Sequence, residues 1–249
     1  MLTKKWNQGI IKQAVLIKVG DYNVSESELN LNAAEKSPFF NVSNIKYEFS
    51  ASQRVYIFFK RFLDIFFACI AVIFLSPLLL FLSLMIKLTS RGPVIFSQER
   101  IGQFGKVIRI YKFRTMMSKA PKSKATNDFN DAHEYITKFG KLLRVTSLDE
   151  MPQLFNVIKG DMSLIGPRPL ILDEIFIHKL REKNDVYLIK PGITGLAQVN
   201  GRDFLDAQDK VNFDTQYLHE MSLKLDLIIF IKSIVVVFRQ ENSLDAKRK

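Results

Sequence analysis

A long apolar run is the feature that most constrains how this chain of 249 residues can fold. Residues 62–86 read FLDIFFACIAVIFLSPLLLFLSLMI, and Asp64 is the only charged residue among them. A helix rises about 1.5 Å per residue, so this run is long enough to cross a bilayer core of roughly 30 Å. We therefore expect a helix that is embedded in a membrane.

Two features leave open whether this helix crosses the membrane or turns back. Ser76-Pro77 lies near the middle of the run, where proline removes a backbone donor and disfavours helical geometry at the residue before it. A spanning helix usually has unequal basic flanks, because positive charge stays on the cytoplasmic side. Both a kinked spanning helix and a re-entrant helix are compatible with these residues. Here the basic flanks are balanced, with Lys46, Arg54, Lys60 and Arg61 before the run and Lys87, Arg91, Arg100 and Lys106 after it.

The net charge of the chain narrows the class of its binding partner, and its cysteine content excludes two kinds of structural site. The chain has 36 Lys and Arg against 25 Asp and Glu, a net charge of +11, which favours a phosphate-bearing ligand, an anionic lipid surface or nucleic acid. We find no recognised DNA-binding or RNA-binding module, and expect no nucleic-acid partner. The single cysteine, Cys69, excludes a disulfide framework and a cysteine-based zinc site. Because the N-terminus lacks a secretory signal pattern, we expect the soluble part to be cytoplasmic.

The chain divides into an N-terminal extension (1–50), a membrane segment (51–90) and a C-terminal region (91–249). The extension carries no chemical signature, although 14–19 could form a strand. Two β-rich segments around glycines 102 and 105 predict a hairpin over 93–114, and residues 118–131 have the composition of a loop. Residues 223–238 could lie along a membrane interface or pack in the core. Helices are expected at about 135–144, 147–160, 172–182 and 223–238.

The motif Ser147-Leu-Asp149-Glu150-Met-Pro152 has two interpretations. Ser-x-x-Glu is the capping-box pattern, in which Ser147 and Glu150 would do no more than satisfy amides at a helix start. Alternatively, the two adjacent carboxylates point about 100° apart and perform different tasks, one facing a substrate and the other a metal ion.

Several cations accompany these acids around turns that contain proline and glycine. Arginine offers a planar fork to phosphate oxygens and lysine a point charge, although each cation by itself could equally be an ordinary solvated side chain. Carboxylates among so many cations stay ionised, as a carboxylate nucleophile or a magnesium ligand requires. The cations are Lys112, Arg114, Lys141, Arg144, Arg168 and Arg202.

Five longer motifs then occur in one order within residues 92–202, and the pattern to which they belong extends from residue 60 to about 238, roughly three quarters of the chain. They are GPVIFSQERIG (92–102), YKFRTM (111–116), SLDEMPQL (147–154), GDMSLIGPRP (160–169) and PGITGLAQVNGR (191–202). Together with the apolar run interrupted by Ser-Pro, this pattern resembles the bacterial sugar transferases called monotopic phosphoglycosyl transferases. The large members of that group carry spanning helices before the core. Residues 1–50 show none, so their role is left open.

The resemblance implies a two-step reaction. The carboxylate of Asp149 would attack the sugar-linked phosphate of a UDP-sugar, expel UMP and carry the phosphosugar. Polyprenyl (undecaprenyl) phosphate would then take the phosphosugar, which starts capsule, exopolysaccharide, O-antigen or glycoprotein glycan assembly. Glu150 would help to hold a magnesium ion (Mg2+). The residues implied in substrate binding are Lys112, Arg114, Arg144, Pro167, Arg168, Pro169, Gln198, Arg202 and Asp226.

The resemblance also implies the architecture and the location. We expect a mainly α-helical fold with a short β-hairpin, anchored by a re-entrant helix that is broken at Ser76-Pro77 and by interfacial amphipathic helices. Such a protein would lie in the bacterial inner (cytoplasmic) membrane with its active site on the cytoplasmic face. Its expected partners are a UDP-sugar, polyprenyl phosphate and membrane lipids, with downstream glycosyltransferases as further candidates.

Overall fold

The computed structural model describes residue 40 and residues 45–117, 135–201 and 204–239. The strand predicted at 14–19, the loop predicted at 118–131 and Arg202 lie outside these ranges. The described part is mainly helical and contains one short antiparallel hairpin, which confirms the predicted fold class at this level.

The apolar run forms part of one long helix, α1 (Ala51–Thr89). It begins with a capping box, in which Gln53 N–H donates to the side chain of Ser50. Pro77 lies inside the helix and has no N–H to donate to the carbonyl of Ile73, four residues earlier. The hydroxyl of Ser76 donates to that same carbonyl at 2.8 Å. Because the carbonyl is satisfied in this way, the helix continues through Pro77, and a reversal of its direction there stays a prediction.

The two faces of α1 have different surroundings. On one face, Ala68, Leu82 and Ile86 are buried against the rest of the protein. Among the described helices, α1 is the one that is long and apolar enough to cross a membrane, yet 11% of its most apolar window is buried. A core helix of a soluble protein would be mostly buried, so α1 suggests membrane association. The opposite face exposes Phe58, Phe59, Phe62, Phe66, Phe67, Phe74, Leu80, Phe81 and Leu84.

The predicted hairpin is confirmed. Strands β1 (Ile95–Ile101) and β2 (Val107–Phe113) pair antiparallel, with Ile95 opposite Phe113 and Ile101 opposite Val107. The connecting 3₁₀ turn, Gln103–Gly105, contains two successive residues with positive φ, 56° at Phe104 and 66° at Gly105. Glycine adopts this conformation without steric cost, which explains its use at the second position.

The remaining elements surround the hairpin and one face of α1. Two short parallel strands, β3 (Ser163–Ile165) and β4 (Gly192–Thr194), join distant parts of the chain. A second 3₁₀ turn covers Leu148–Glu150 and a third covers Val186–Leu188. The predicted helices are present with starts and ends shifted by at most three residues, except that the helix expected from Ser147 begins at Gln153. Further α-helices are α2 (Lys138–Val145), α3 (Gln153–Lys159), α4 (Ile175–Lys183), α5 (Leu196–Val199), α6 (Ala207–Glu220) and α7 (Leu223–Arg239).

Residues just before α1 belong to the core. Ile45 and Phe49 are buried in a cluster that includes Tyr217 of α6 and Ile229 of α7. The backbone N–H groups of Lys46 and Tyr47 both donate to the carboxylate of Asp185, at 2.8 and 2.7 Å. The end of the predicted N-terminal extension therefore packs into the fold.

Helix α7 has one buried and one exposed apolar face. Ile229 is fully buried, whereas Leu227, Phe230, Ile231 and Ile234 are exposed. The helix thus packs in the core on one side, as one of the two sequence-based alternatives proposed. Its exposed apolar side has the composition of an interfacial helix, and its contact with lipid stays a prediction.

Candidate active site

The two adjacent acids lie in the 3₁₀ turn Leu148–Glu150, between α2 and α3. Ser147, which precedes this turn, makes no capping hydrogen bond with its side chain. The carboxylate of Glu150 accepts instead from Nζ of Lys112 at 2.7 Å and from Nη2 of Arg168 at 3.2 Å. The capping-box interpretation of this motif is therefore wrong, because Glu150 reaches across to two cations from other elements.

The backbone immediately before the acids is strained. Ser147 adopts a left-handed conformation, with φ 56° and ψ 16°, which residues with a side chain rarely take and which costs on the order of 1 kcal/mol. Its N–H donates to the carbonyl of Arg144 in the last turn of α2, at 3.2 Å. The chain thus leaves α2 and enters the acidic turn within two residues, which keeps Arg144, Asp149 and Glu150 close along the chain.

Lys112 lies on β2 and its ammonium group is largely shielded from solvent, with 16% of the side chain exposed. Burial lowers the pKa of Lys112; the negative charge of Glu150 opposes this shift and the positive charge of Arg168 adds to it. Because charges act more strongly where water is excluded, an anionic ligand placed beside Lys112 and Arg168 would be attracted strongly.

Arg168 projects from a backbone segment that is fixed at each carbonyl from Pro167 to Leu170. The two prolines of this segment have no N–H, so their peptide groups can be held only through their carbonyls. The guanidinium of Arg168 is therefore presented to Glu150 from a backbone with little freedom to move. The donors to the four carbonyls, in chain order, are Gly192 N at 2.9 Å, Arg181 Nη1 at 2.8 Å, Arg100 Nη1 at 3.2 Å and Ile101 N at 3.0 Å.

The sequence patterns gave neither Arg100 nor Arg181 a role in the site. Arg100 belongs to a motif that was recognised, and its spacing from Gln98 places both on the inner face of β1, since side chains of a strand alternate between faces. That spacing could have indicated an inward-facing arginine. Arg181 lies in a polar helical segment without a motif, and no pattern in the sequence separates it from a solvated residue.

Arg114 does not join the acidic turn. Its Nη2 donates to the carbonyl and hydroxyl oxygens of Ser90, at 2.7 and 2.8 Å, and its Nη1 donates to the carbonyl of Pro93. These acceptors lie at and just after the end of α1, where helix carbonyls lack intrahelical partners. The contacts point to a structural role for Arg114 and do not support the substrate contact that the resemblance implied.

Asp226 belongs to a different cluster. Its carboxylate accepts from the hydroxyl groups of Tyr56 and Tyr217 and from the ammonium of Lys60. The cluster joins α1, α6 and α7, so Asp226 fastens the long helix to the domain. Here too, the contacts are structural rather than directed at the acidic turn.

Gln198 lies in α5 and is 8% exposed, and neither its Oε1 nor its Nε2 has a hydrogen-bond partner among the described residues. It lies close to the backbone of Gly195, which in turn packs so tightly on Gly166 that a Cβ there would lie 2.1 Å from the Gly166 carbonyl oxygen. The structure therefore places Gln198 near the start of the segment that carries Arg168.

The acidic turn suits a magnesium ion only in part. Within the described residues, no group of three or more His, Cys, Asp and Glu is arranged to hold a metal ion. Magnesium commonly uses one or two carboxylates and takes its other ligands from water and substrate phosphates. Asp149 and Glu150 meet that smaller requirement, so the residues fit an ion that is held together with a phosphorylated ligand. The arrangement as a whole suits a phosphate group placed beside a carboxylate.

Comparison with known proteins gives the family. The sequence profile described as "Bacterial sugar transferase" matches residues 55–240. The undecaprenyl-phosphate galactose phosphotransferase of Salmonella typhimurium is 40% identical over 202 residues, which cover 75% of this chain and 42% of that protein. The exopolysaccharide production protein ExoY of Rhizobium meliloti is 36% identical over 219 residues, 81% of this chain and 93% of that protein. This chain belongs to the bacterial sugar transferase family.

A third relative is the UDP-glucose:undecaprenyl-phosphate glucose-1-phosphate transferase of Klebsiella pneumoniae, which is 43% identical over 187 residues. The match covers 70% of this chain and 39% of that protein. The chain therefore spans less than half the length of the Salmonella and Klebsiella relatives, but nearly the whole length of the Rhizobium relative.

Proposed function

We propose that this protein transfers a phosphosugar from a UDP-sugar to polyprenyl phosphate. The observation that carries the proposal is the pairing of Glu150 with Lys112 and Arg168, next to Asp149 in a strained turn. Membership of the family supports it, as do relatives whose names describe undecaprenyl-phosphate sugar phosphotransferases.

In the first step, a carboxylate oxygen of Asp149 attacks the sugar-linked phosphorus of the UDP-sugar. A new phosphorus–oxygen bond forms to the aspartate, and the bond from that phosphorus to the oxygen shared with the second phosphate breaks. The electron pair leaves with UMP. Attack by one anion on another requires charge neutralisation and alignment more than proton transfer. Lys112 and Arg168 supply positive charge, and the turn fixes the carboxylate.

In the second step, an oxygen of polyprenyl phosphate attacks the phosphorus held by Asp149. The phosphorus–oxygen bond to the aspartate breaks, which regenerates the carboxylate and releases polyprenyl diphosphosugar. No net oxidation, reduction or hydrolysis takes place. The product suits elongation by downstream glycosyltransferases, as in the synthesis of exopolysaccharide, capsule or a related glycan.

Mg2+ is the cofactor that we propose, with Glu150 as its protein ligand. When bound, magnesium would neutralise charge on the diphosphate of the donor. Lys112 and Arg168 hold the carboxylate of Glu150 in place, because an oxygen that accepts from two cations has little freedom to rotate.

The lipid acceptor and the water-soluble donor have to meet at a membrane surface. We propose that α1 dips into one leaflet and turns back near Ser76-Pro77, which leaves both its ends and the active site on the cytoplasmic face of the inner membrane. The exposed apolar faces of α1 and α7 would contact lipid.

The membrane topology can be tested by cysteine labelling in a Cys69→Ser background. Ser52 and Thr89 are exposed near the two ends of α1, and each is replaced singly by cysteine. An impermeant thiol reagent should label neither position in intact cells and both after lysis. Labelling of one end from outside would show that α1 crosses the membrane.

The reaction can be tested with purified protein, undecaprenyl phosphate, magnesium and a panel of UDP-sugars. We expect UMP release with at least one sugar, and none from Asp149→Asn, because an amide is a poor nucleophile. Asp209→Asn is the matched control, since Asp209 is exposed on α6. Full turnover by Asp149→Asn would reject the nucleophile. No UMP from any sugar would favour a protein that binds nucleotide sugars without turnover.

A further inference from the structure

Two arginines that do not touch the acidic turn hold the peptide groups on which Arg168 depends. Nη1 of Arg181 donates to the carbonyl of Arg168 itself, and Nη1 of Arg100 donates to the carbonyl of Pro169. They approach from different elements, α4 and β1. The backbone at Arg168 is therefore held by side chains from two separate parts of the fold.

Arg181 is oriented by a buried ion pair. It is 3% exposed, and its Nε and Nη2 both donate to Oδ2 of Asp214 on α6, at 3.0 and 2.6 Å. With these two groups fixed, the remaining Nη1 points to the Arg168 carbonyl. Burial raises the pKa of Asp214, and the charge of Arg181 opposes this shift.

Arg100 is oriented by its neighbour on the same strand. Its Nη2 donates to Oε1 of Gln98 at 2.7 Å, which leaves Nη1 directed at Pro169. Burial lowers the pKa of Arg100 to about 10, and the positive charge of Arg168 contributes in the same direction. The charges of Arg100 and Arg168 thus lie close enough to repel each other, while Glu150 attracts the Arg168 guanidinium.

We propose that Arg100 and Arg181 are positioning residues that hold the guanidinium of Arg168 toward Glu150 and the diphosphate of the donor. The inference rests on the proposed function for the identity of that donor. Neither residue touches substrate; each acts through the backbone of the Arg168 segment. Arg100 has a second effect, because its positive charge disfavours any movement of Arg168 back toward β1.

The proposal is tested first by Arg100→Gln, which keeps a polar side chain but removes the charge and the forked geometry. Small misplacements of a group that binds the reacting phosphate cost on the order of 10- to 100-fold in rate, and we expect a loss of that size in kcat/KM for UMP release. Arg100→Lys keeps the charge and should recover part of it. Arg109→Gln is the control, since Arg109 lies on the same hairpin, is 61% exposed and pairs only with Glu99 among the described residues.

A double-mutant cycle separates positioning from a general structural effect. If Arg100 acts through Arg168, Arg100→Gln lowers kcat/KM in the natural background and has little further effect in Arg168→Gln. An equal loss in both backgrounds overturns the proposal, and so does full activity of Arg100→Gln. If kcat/KM falls equally in both backgrounds and the melting temperature falls as well, Arg100 contributes to fold stability alone.

A binding measurement keeps this test independent of turnover. The affinity for UDP, measured by calorimetry, should fall in Arg100→Gln but not change further when Arg168→Gln is already present. If the UDP affinities follow this pattern but the natural protein releases no UMP, the transfer reaction is contradicted and the positioning role stands. If the natural protein releases UMP, and Arg100→Gln changes neither that release nor the affinity for UDP, the positioning role alone is overturned.

Discussion

Two roles can be assigned to Asp226, substrate binding and attachment of α1 to the domain. The variant Asp226→Asn distinguishes them. The resemblance to known transferases implies that Asp226 binds substrate, whereas its contacts fasten α1 to the domain. In the structure, Oδ1 accepts from the Tyr217 hydroxyl at 2.7 Å, and Oδ2 accepts from the Tyr56 hydroxyl and the Lys60 ammonium. Asparagine replaces one of these oxygens by an NH2 group, which then faces a donor instead of accepting from it.

The expected loss follows from the burial of the pair. The side chains of Lys60 and Asp226 are 11% and 10% exposed. Removal of one partner from a buried pair costs about 3–5 kcal/mol. Lys60 keeps a second, weaker partner in Asp64 at 3.8 Å, so the lower end of that range applies, about 3 kcal/mol. For a chain of this size, a loss of about 3 kcal/mol corresponds to a fall in melting temperature of about 6–12 °C.

The assay is thermal unfolding of the purified protein in one detergent, together with the KM for the UDP-sugar at a temperature where the variant is folded. We expect a lower melting temperature with a KM close to that of the natural protein. Asp209→Asn is the control, and its free energy of unfolding should change by less than about 0.5 kcal/mol because the residue is exposed. A raised KM at an unchanged melting temperature would refute the structural account of Asp226.

Two further predictions concern Lys112 and Arg114. Because the pKa of Lys112 is lowered, its ammonium should lose its proton at a lower pH than an ordinary lysine, and kcat/KM should fall on the alkaline side. Lys112→Arg should move that fall to higher pH, since a guanidinium stays protonated; the same alkaline fall in both proteins would exclude Lys112 as its cause. Arg114→Gln should lower the melting temperature and leave the KM for the UDP-sugar unchanged, because the guanidinium of Arg114 donates hydrogen bonds to Ser90 at the end of α1. A raised KM without loss of stability would restore the substrate contact implied for Arg114.

Local sequence patterns predict most of the secondary structure. The hairpin follows from β-rich segments on either side of glycines 102 and 105, and α3 ends at Gly160 in a left-handed conformation, as a helix followed by glycine often does. The start of α3 was less predictable. Ser147 and Glu150 match a capping box in sequence, but Glu150 pairs with Lys112 and Arg168, which are distant in the chain. A local motif cannot reveal that competition.

The same limit applies to the cations. The motifs place Lys112, Arg114 and Arg168 among the same set of cations, yet Lys112 and Arg168 reach Glu150, whereas Arg114 binds the end of α1. Which arginine faces the site depends on how the hairpin, α1 and the Arg168 segment pack together. The sequence around Pro77 also does not reveal which group replaces the missing N–H donor. In the structure, the hydroxyl of Ser76 donates to the carbonyl that Pro77 leaves without a helical partner, and the helix continues.

The central claim is that Asp149 carries the phosphosugar between donor and acceptor. The most direct test is the intact mass of the protein after incubation with its UDP-sugar and magnesium in the absence of polyprenyl phosphate. We expect a gain equal to one phosphosugar, located at Asp149 by peptide mapping, absent in Asp149→Asn and lost when undecaprenyl phosphate is added. UMP release with the lipid acceptor but without this adduct, or an adduct that persists in Asp149→Asn, would contradict the account.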